Sequence, residues 1–96
     1  MASTADIPKY EEMIAAIGKF IGEVDEASAE MAAAGSECVE NCGNDSASTT
    51  SNAKLAEHIG KFSEATEAAG RVQAALQEQL EELYELQKIE NEINSD

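Results

Sequence analysis

Tryptophan is missing from this 96-residue chain, proline and histidine occur once each, and the aromatic set is two tyrosines and two phenylalanines. The one proline, Pro8, lies near the start, so nothing after it forbids a helix. With His58 the only histidine there is no Glu-x-x-His pair for a di-iron site. Neither a G-x-S-x-G elbow nor a glycine-rich phosphate loop is present. The expectation is a protein that is not an enzyme, with no catalytic residue, no cofactor and no metal. Positive charge is scarce: six Lys and Arg stand against 20 Asp and Glu, a formal net charge of −14. The six (Lys9, Lys19, Lys54, Lys61, Arg71, Lys88) are scattered singly, which argues against neutralising the phosphates of a nucleic acid or an anionic membrane. Long apolar runs are absent as well. The longest uncharged one, residues 13–18, ends at Lys19, far short of the roughly 20 residues that span a bilayer. The N-terminus lacks the basic start and apolar core of a cleavable signal peptide. Synthesis in the cytoplasm is therefore expected, with any secretion by a route that needs no such signal.

What is abundant is alanine, glutamate and leucine, all good helix formers. Asp6 or Ile7 can cap a first helix, placing Pro8 in the first turn, where its missing N–H costs little. From there apolar or small residues step by three and four: Ile7, Tyr10, Ile14, Ile17, Ile21, Val24, Ser28, Met31, Gly35, Cys38, Cys42. That is a heptad seam. The second half places Leu55, Ile59, Phe62, Ala65, Ala69, Val72, Leu76, Leu80, Leu83, Leu86, Ile89 and Ile93 on one broad face, with most of its glutamates opposite. Between the halves, Gly43, Asn44 and Asp45 favour a turn, and the Ser/Thr/Asn run over residues 46–52 favours a helix start. The pattern predicts an all-α fold, a single domain over residues 1–96: an antiparallel two-helix hairpin with helix 1 at about 7–42, a turn at about 43–48 and helix 2 at about 48–93.

A turn centred near Ser46 and Ala47 sets Ile7 opposite Leu86, Tyr10 opposite Leu83, Ile14 opposite Leu80 and Ile17 opposite Leu76. The small stretch 32–35 then faces His58, Ile59 and Phe62, so large opposes small as close packing requires. A further line, Met13, Phe20, Ala27, Ala34, widens the first stripe beyond what one partner helix covers, and Leu80 and Tyr84 broaden the second. Met13, Phe20, Leu80 and Tyr84 are thus the candidate interface for a dimer that forms a four-helix bundle, with a second copy or a related hairpin.

Cys38 and Cys42 continue the seam, so buried packing is their first reading. Their Cβ atoms, four residues apart on a helix, would lie about 5–6 Å from each other, too far for the roughly 3.5–4.5 Å of a disulfide. Two other readings stay open. One is a zinc site built from both thiols, His58 and either Glu37 or Asp45; the other is a thiol that bridges two copies.

A hairpin of two roughly equal helices in about a hundred residues, acidic and with glycine at its central turn, resembles the Trp-X-Gly family of small type VII secretion substrates. Asn41-Cys42-Gly43 stands where that triplet stands: Gly43 matches, and Asn41 replaces the tryptophan. Tyr84 is followed four residues later by Lys88, where the family's export motif has Asp or Glu. The resemblance implies a secreted substrate, or an accessory hairpin that targets a larger secreted effector. Composition alone leaves open a cytoplasmic helical adaptor or chaperone of a phage or mobile element, and more distantly an acidic mimic of DNA.

Overall fold

In a computed structural model, residues 2–42 and 46–95 are described, apart from the side chains of Cys42, Ser46 and Ser48. The expected turn residues Gly43, Asn44 and Asp45 lie outside the described residues. The chain is all-α: a short 3-10 turn over Thr4–Asp6 leads into α1, Ile7–Cys42, and α2 follows at Ser46–Asn94. No strand occurs among the described residues. The start of α1 follows from its sequence. The Asp6 carboxylate accepts from the Ser3 N–H at 3.0 Å, while the Asp6 N–H donates to the Ser3 carbonyl at 2.9 Å, and Pro8 falls in the first turn.

The chain divides into two compact units, one made of Met1–Lys19 with Ala69–Asp96 and the other of Phe20–Ala68. In the first unit, Ile7, Leu80 and Leu83 are buried, and Tyr10 and Ile14 pack against them. Pairing here is antiparallel. Thr4 Oγ1 donates to Glu90 Oε2 at 3.1 Å, and further along α1 the Gln73 amide donates to the Ile14 carbonyl at 3.0 Å. In the second unit, Leu55 and Asn52 of α2 approach Gly35 of α1. The pairing expected from sequence put His58 opposite Gly35 instead. Because α2 begins at Ser46 and not near Ser48, the connection is shorter and the partner of Gly35 lies about one turn nearer to it.

Along α1 the seam is occupied residue for residue. Ile7 is buried, and Tyr10, Ile14, Ile17, Ile21, Val24, Ser28, Met31, Gly35 and Cys38 are half-buried, while every other described side chain of the helix is exposed. On α2 the covered positions are Asn52, Leu55, Ile59, Thr66, Ala69, Gly70, Gln73, Leu76, Leu80 and Leu83. This corrects the broad face read from sequence: Phe62, Ala65, Val72, Leu86, Ile89 and Ile93 are exposed, and Thr66 and Gln73 take the inward places. The cause is heptad spacing. Counting back from Leu83 by three and four through Leu80 and Leu76 lands on Gln73, Ala69 and Thr66, one residue after the Val72 and Ala65 that hydrophobicity alone would choose.

Candidate interaction surface

In the first unit, the large exposed apolar side chains other than Tyr84 sit one residue before a seam position. On α1 that row is Lys9, Met13 and Ala16; on α2 it is Val72, Ala75, Gln79, Glu82, Leu86, Ile89 and Ile93, so polar and charged residues interrupt it. Stepping back one residue turns a helix by about 100°. For two antiparallel helices viewed along one axis, the turns have opposite sense, so both rows arrive on the same side. Two shallow depressions mark that side. One, about 390 Å³, is lined by Ala2, Tyr10, Gln79, Glu82, Leu83 and Leu86; the other, about 370 Å³, by Lys9, Glu12, Met13 and Ala16. The row is not thinly exposed: Val72 keeps 54%, Ile89 50% and Ile93 69% of its surface in water, with Met13 at 42% and Leu86 at 40%.

Much of this exposure has a simple origin. α2 is 49 residues long and α1 is 36, and Leu83 is the last buried position on α2. Ile7, the first residue of α1, already packs on Leu80 and Leu83. Past Leu83, α2 meets the Thr4–Asp6 turn, through Thr4 and Glu90, in place of a second helix. Leu86, Ile89 and Ile93 therefore have helical spacing without helical cover.

The structure separates the four residues expected at an interface. Met13 lies on the exposed row of the first unit. Phe20, 46% exposed, belongs to the second unit. Leu80 is in the core between the helices, not on a free face. Tyr84 is exposed but lies one residue after a seam position, which places it on the opposite side, with Glu11 of α1. Its phenol is pushed above the usual tyrosine range, first by desolvation and then by the negative charge of Glu11 and a hydrogen bond to that carboxylate. This opposite side also holds small residues, Gly18 and Gly70 among them. Gly18 has a specific role there: a Cβ on it would stand 3.2 Å from Gln73 Nε2, so its absence leaves room for the amide to reach the Ile14 carbonyl.

Sequence reasoning missed Gln73 and the row Val72, Leu86, Ile89, Ile93 as surface. The strict three-four count back from Leu83 was the signal that could have found both. Cys38 is half-buried on the seam. Among the described residues no group of three His, Cys, Asp or Glu could hold a metal ion, and two of the possible zinc ligands, Cys42 and Asp45, have side chains outside the described residues. Among the described residues no helix is long and apolar enough to cross a membrane. Comparison with protein-family models, with curated proteins and with solved structures finds no match for this chain.

Proposed function

We propose that this chain is a non-enzymatic helical hairpin that works by pairing with another helical hairpin, its own copy or a related chain, in a four-helix assembly. The observation that carries this reading is the apolar row of the first unit, left in water beside a core of three buried side chains among the described residues. Burying one such side chain contributes about 1.5–3 kcal/mol, so covering several would add as much as the hairpin's own interior. Isolated exposed apolar residues need no explanation, whereas a helically spaced row on one side marks a contact surface.

Within that role, the biological setting we favour is type VII secretion, as a small substrate or as the accessory hairpin that targets a larger secreted effector. Two long helices with no strand among the described residues, and the strongly acidic composition, support it, as does the glycine at position 43 of the sequence. The adaptor reading, a cytoplasmic helical chaperone of a phage or mobile element, draws on one specific residue. Lys88 stands where the export motif places a carboxylate.

Light scattering and sedimentation across a range of concentrations, alone and with proteins co-purified from the native host, test the docking role. The expected result is an assembly, alone or with a host partner, that weakens when Met13→Glu charges the row. A chain that stays monomeric and captures nothing, or captures its partner equally well as the Met13→Glu variant, rules the role out. Its appearance in culture medium only when the secretion motor is intact supports the type VII setting. Strict retention in the cell supports the adaptor.

A further inference from the structure

The partner's chemistry can be narrowed from the charges that rim the apolar row. On α2, the positions bordering the row on its outer side are Arg71, Glu78, Glu85 and Glu92, one per heptad, and Glu82 lies within the row itself. From Glu78 to Glu92 there are six glutamates and a single lysine, Lys88, which falls on the opposite flank. Glu78, Glu82, Glu85 and Glu92 are exposed, and among the described residues none of them has an ion-pair partner. On α1, Glu12 borders Met13 in the same way, and Lys9 lies in the row one turn before Met13, which leaves the rim acidic on balance. A coiled-coil contact sets orientation and partner choice by the charges at these flanking positions. Two copies of this chain docking through the row would bring two such acidic rims together, and like charges across an interface are strongly disfavoured.

Resting on the helix-docking role proposed above, we infer that the row Met13, Val72, Leu86, Ile89, Ile93 receives an amphipathic helix of a different protein, apolar at its heptad positions and basic at the positions beside them. The partner's Lys or Arg side chains meet Glu78, Glu85 and Glu92, and its Leu or Ile side chains lie over Leu86 and Ile89. The exposed turns past Leu83 are where such a helix has most room, because no α1 helix stands opposite them.

Two synthetic helical peptides test this. They share one Leu/Ile heptad pattern, with lysine at the flanking positions in one and glutamate in the other. Calorimetry should show the lysine peptide binding at least about tenfold more tightly than the glutamate peptide. The preference should invert for the E78K/E85K/E92K variant, and Leu86→Ser with Ile89→Ser should abolish binding while circular dichroism stays unchanged, since both side chains are exposed. The variant E40K/E64K/E67K, with the same change in net charge placed in the second unit, should keep the preference of the parent protein. If that control loses the preference as fully as the rim variant, the attraction belongs to the overall charge of −14 and the assignment falls. A parent protein that dimerises by itself through the row, with the dimer lost on Leu86→Ser and Ile89→Ser, shows that a second copy is the occupant. That overturns the basic partner and leaves the docking role standing. No binding of either peptide also overturns the assignment, while the co-purification experiment decides the docking role separately.

Discussion

At the residue scale, the glycines report how closely the helices approach. A helix-interior glycine is worth about 1 kcal/mol less than alanine, so what an added methyl would meet decides each case. Around Gly22, Gly60 and Gly70 there is nothing within 4 Å. Alanine at any of these should stabilise by about 0.5–1 kcal/mol, read as a rise in the urea midpoint with unchanged slope. Gly18→Ala should come out near neutral, because the gain in propensity is offset by displacing Gln73 from the Ile14 carbonyl, a bond worth about 0.5–1.5 kcal/mol. Gly35→Ala should destabilise, since its Cβ would stand 2.7 Å from Leu55 Cδ2 on the seam. Equal gains at all five positions would show that helices do not approach at Gly18 and Gly35. Tyr84 supplies a test that depends on pH. With its folded phenol pushed above the ordinary value of 10.0, the neutral form is the one folding favours. Its contribution is fully present below the unfolded value and is lost as pH rises through the folded one. In a Tyr10→Phe background, tyrosinate absorbance should titrate above its normal range and move back down in Glu11→Gln. No movement would separate Tyr84 from Glu11.

At the scale of the helices, α1 was legible almost completely and α2 only in part. The seam of α1 is read directly from sequence because bulky residues recur at Ile7, Tyr10, Ile14, Ile17 and Ile21 with few apolar competitors beside them. On α2 two rows, one residue apart, both hold apolar side chains. Leu76, Leu80 and Leu83 set the inward register, and it carries Gln73 inward with its amide paired, while Val72 is left outside. Hydrophobicity cannot see a hydrogen bond that makes a glutamine the better inward residue. The register expected from sequence, with Ile7 opposite Leu86, is displaced by about one turn: Ile7 packs on Leu80 and Leu83, which takes Leu80 into the core and leaves Leu86, Ile89 and Ile93 in water. The two rows should respond oppositely to truncation. Leu80→Ala and Leu83→Ala remove buried side chains and should each cost about 2–5 kcal/mol. Ile89→Ala and Ile93→Ala should change the isolated chain by no more than about 0.5 kcal/mol, losing their effect only when a partner is bound. Comparable losses in both rows by urea unfolding would mean that α2 packs over its whole length.

At the scale of the whole molecule, charge opposes folding over a thin core. Among the described residues three hydrophobic side chains are buried and nearly all the charged ones are exposed, in a chain of 96 residues with a formal charge of −14. The surface pair of Lys61 with Glu57 at 3.7 Å is too exposed to offset such repulsion. Unlike charges in contact would weaken as salt is added; like charges spread over a surface instead gain, because screening removes a penalty. Between about 0.01 M and 0.15 M salt the screening length falls from about 30 Å to about 8 Å, so repulsion between successive acidic turns fades across that range. The melting temperature should therefore rise with salt. If screening recovers on the order of 1 kcal/mol, the shift for a domain of this size is about 4–8 °C. Replacing Glu78, Glu85 and Glu92 by glutamine should raise the melting point at low salt and flatten its salt dependence. The same substitutions should remove the preference for a lysine-flanked helix, so stability and recognition would change in opposite directions in one variant. A melting point indifferent to salt, or one that falls as salt is added, would show that local ion pairs outweigh the net charge. The acidic rim could then no longer be treated as an unpaired field waiting for a basic partner.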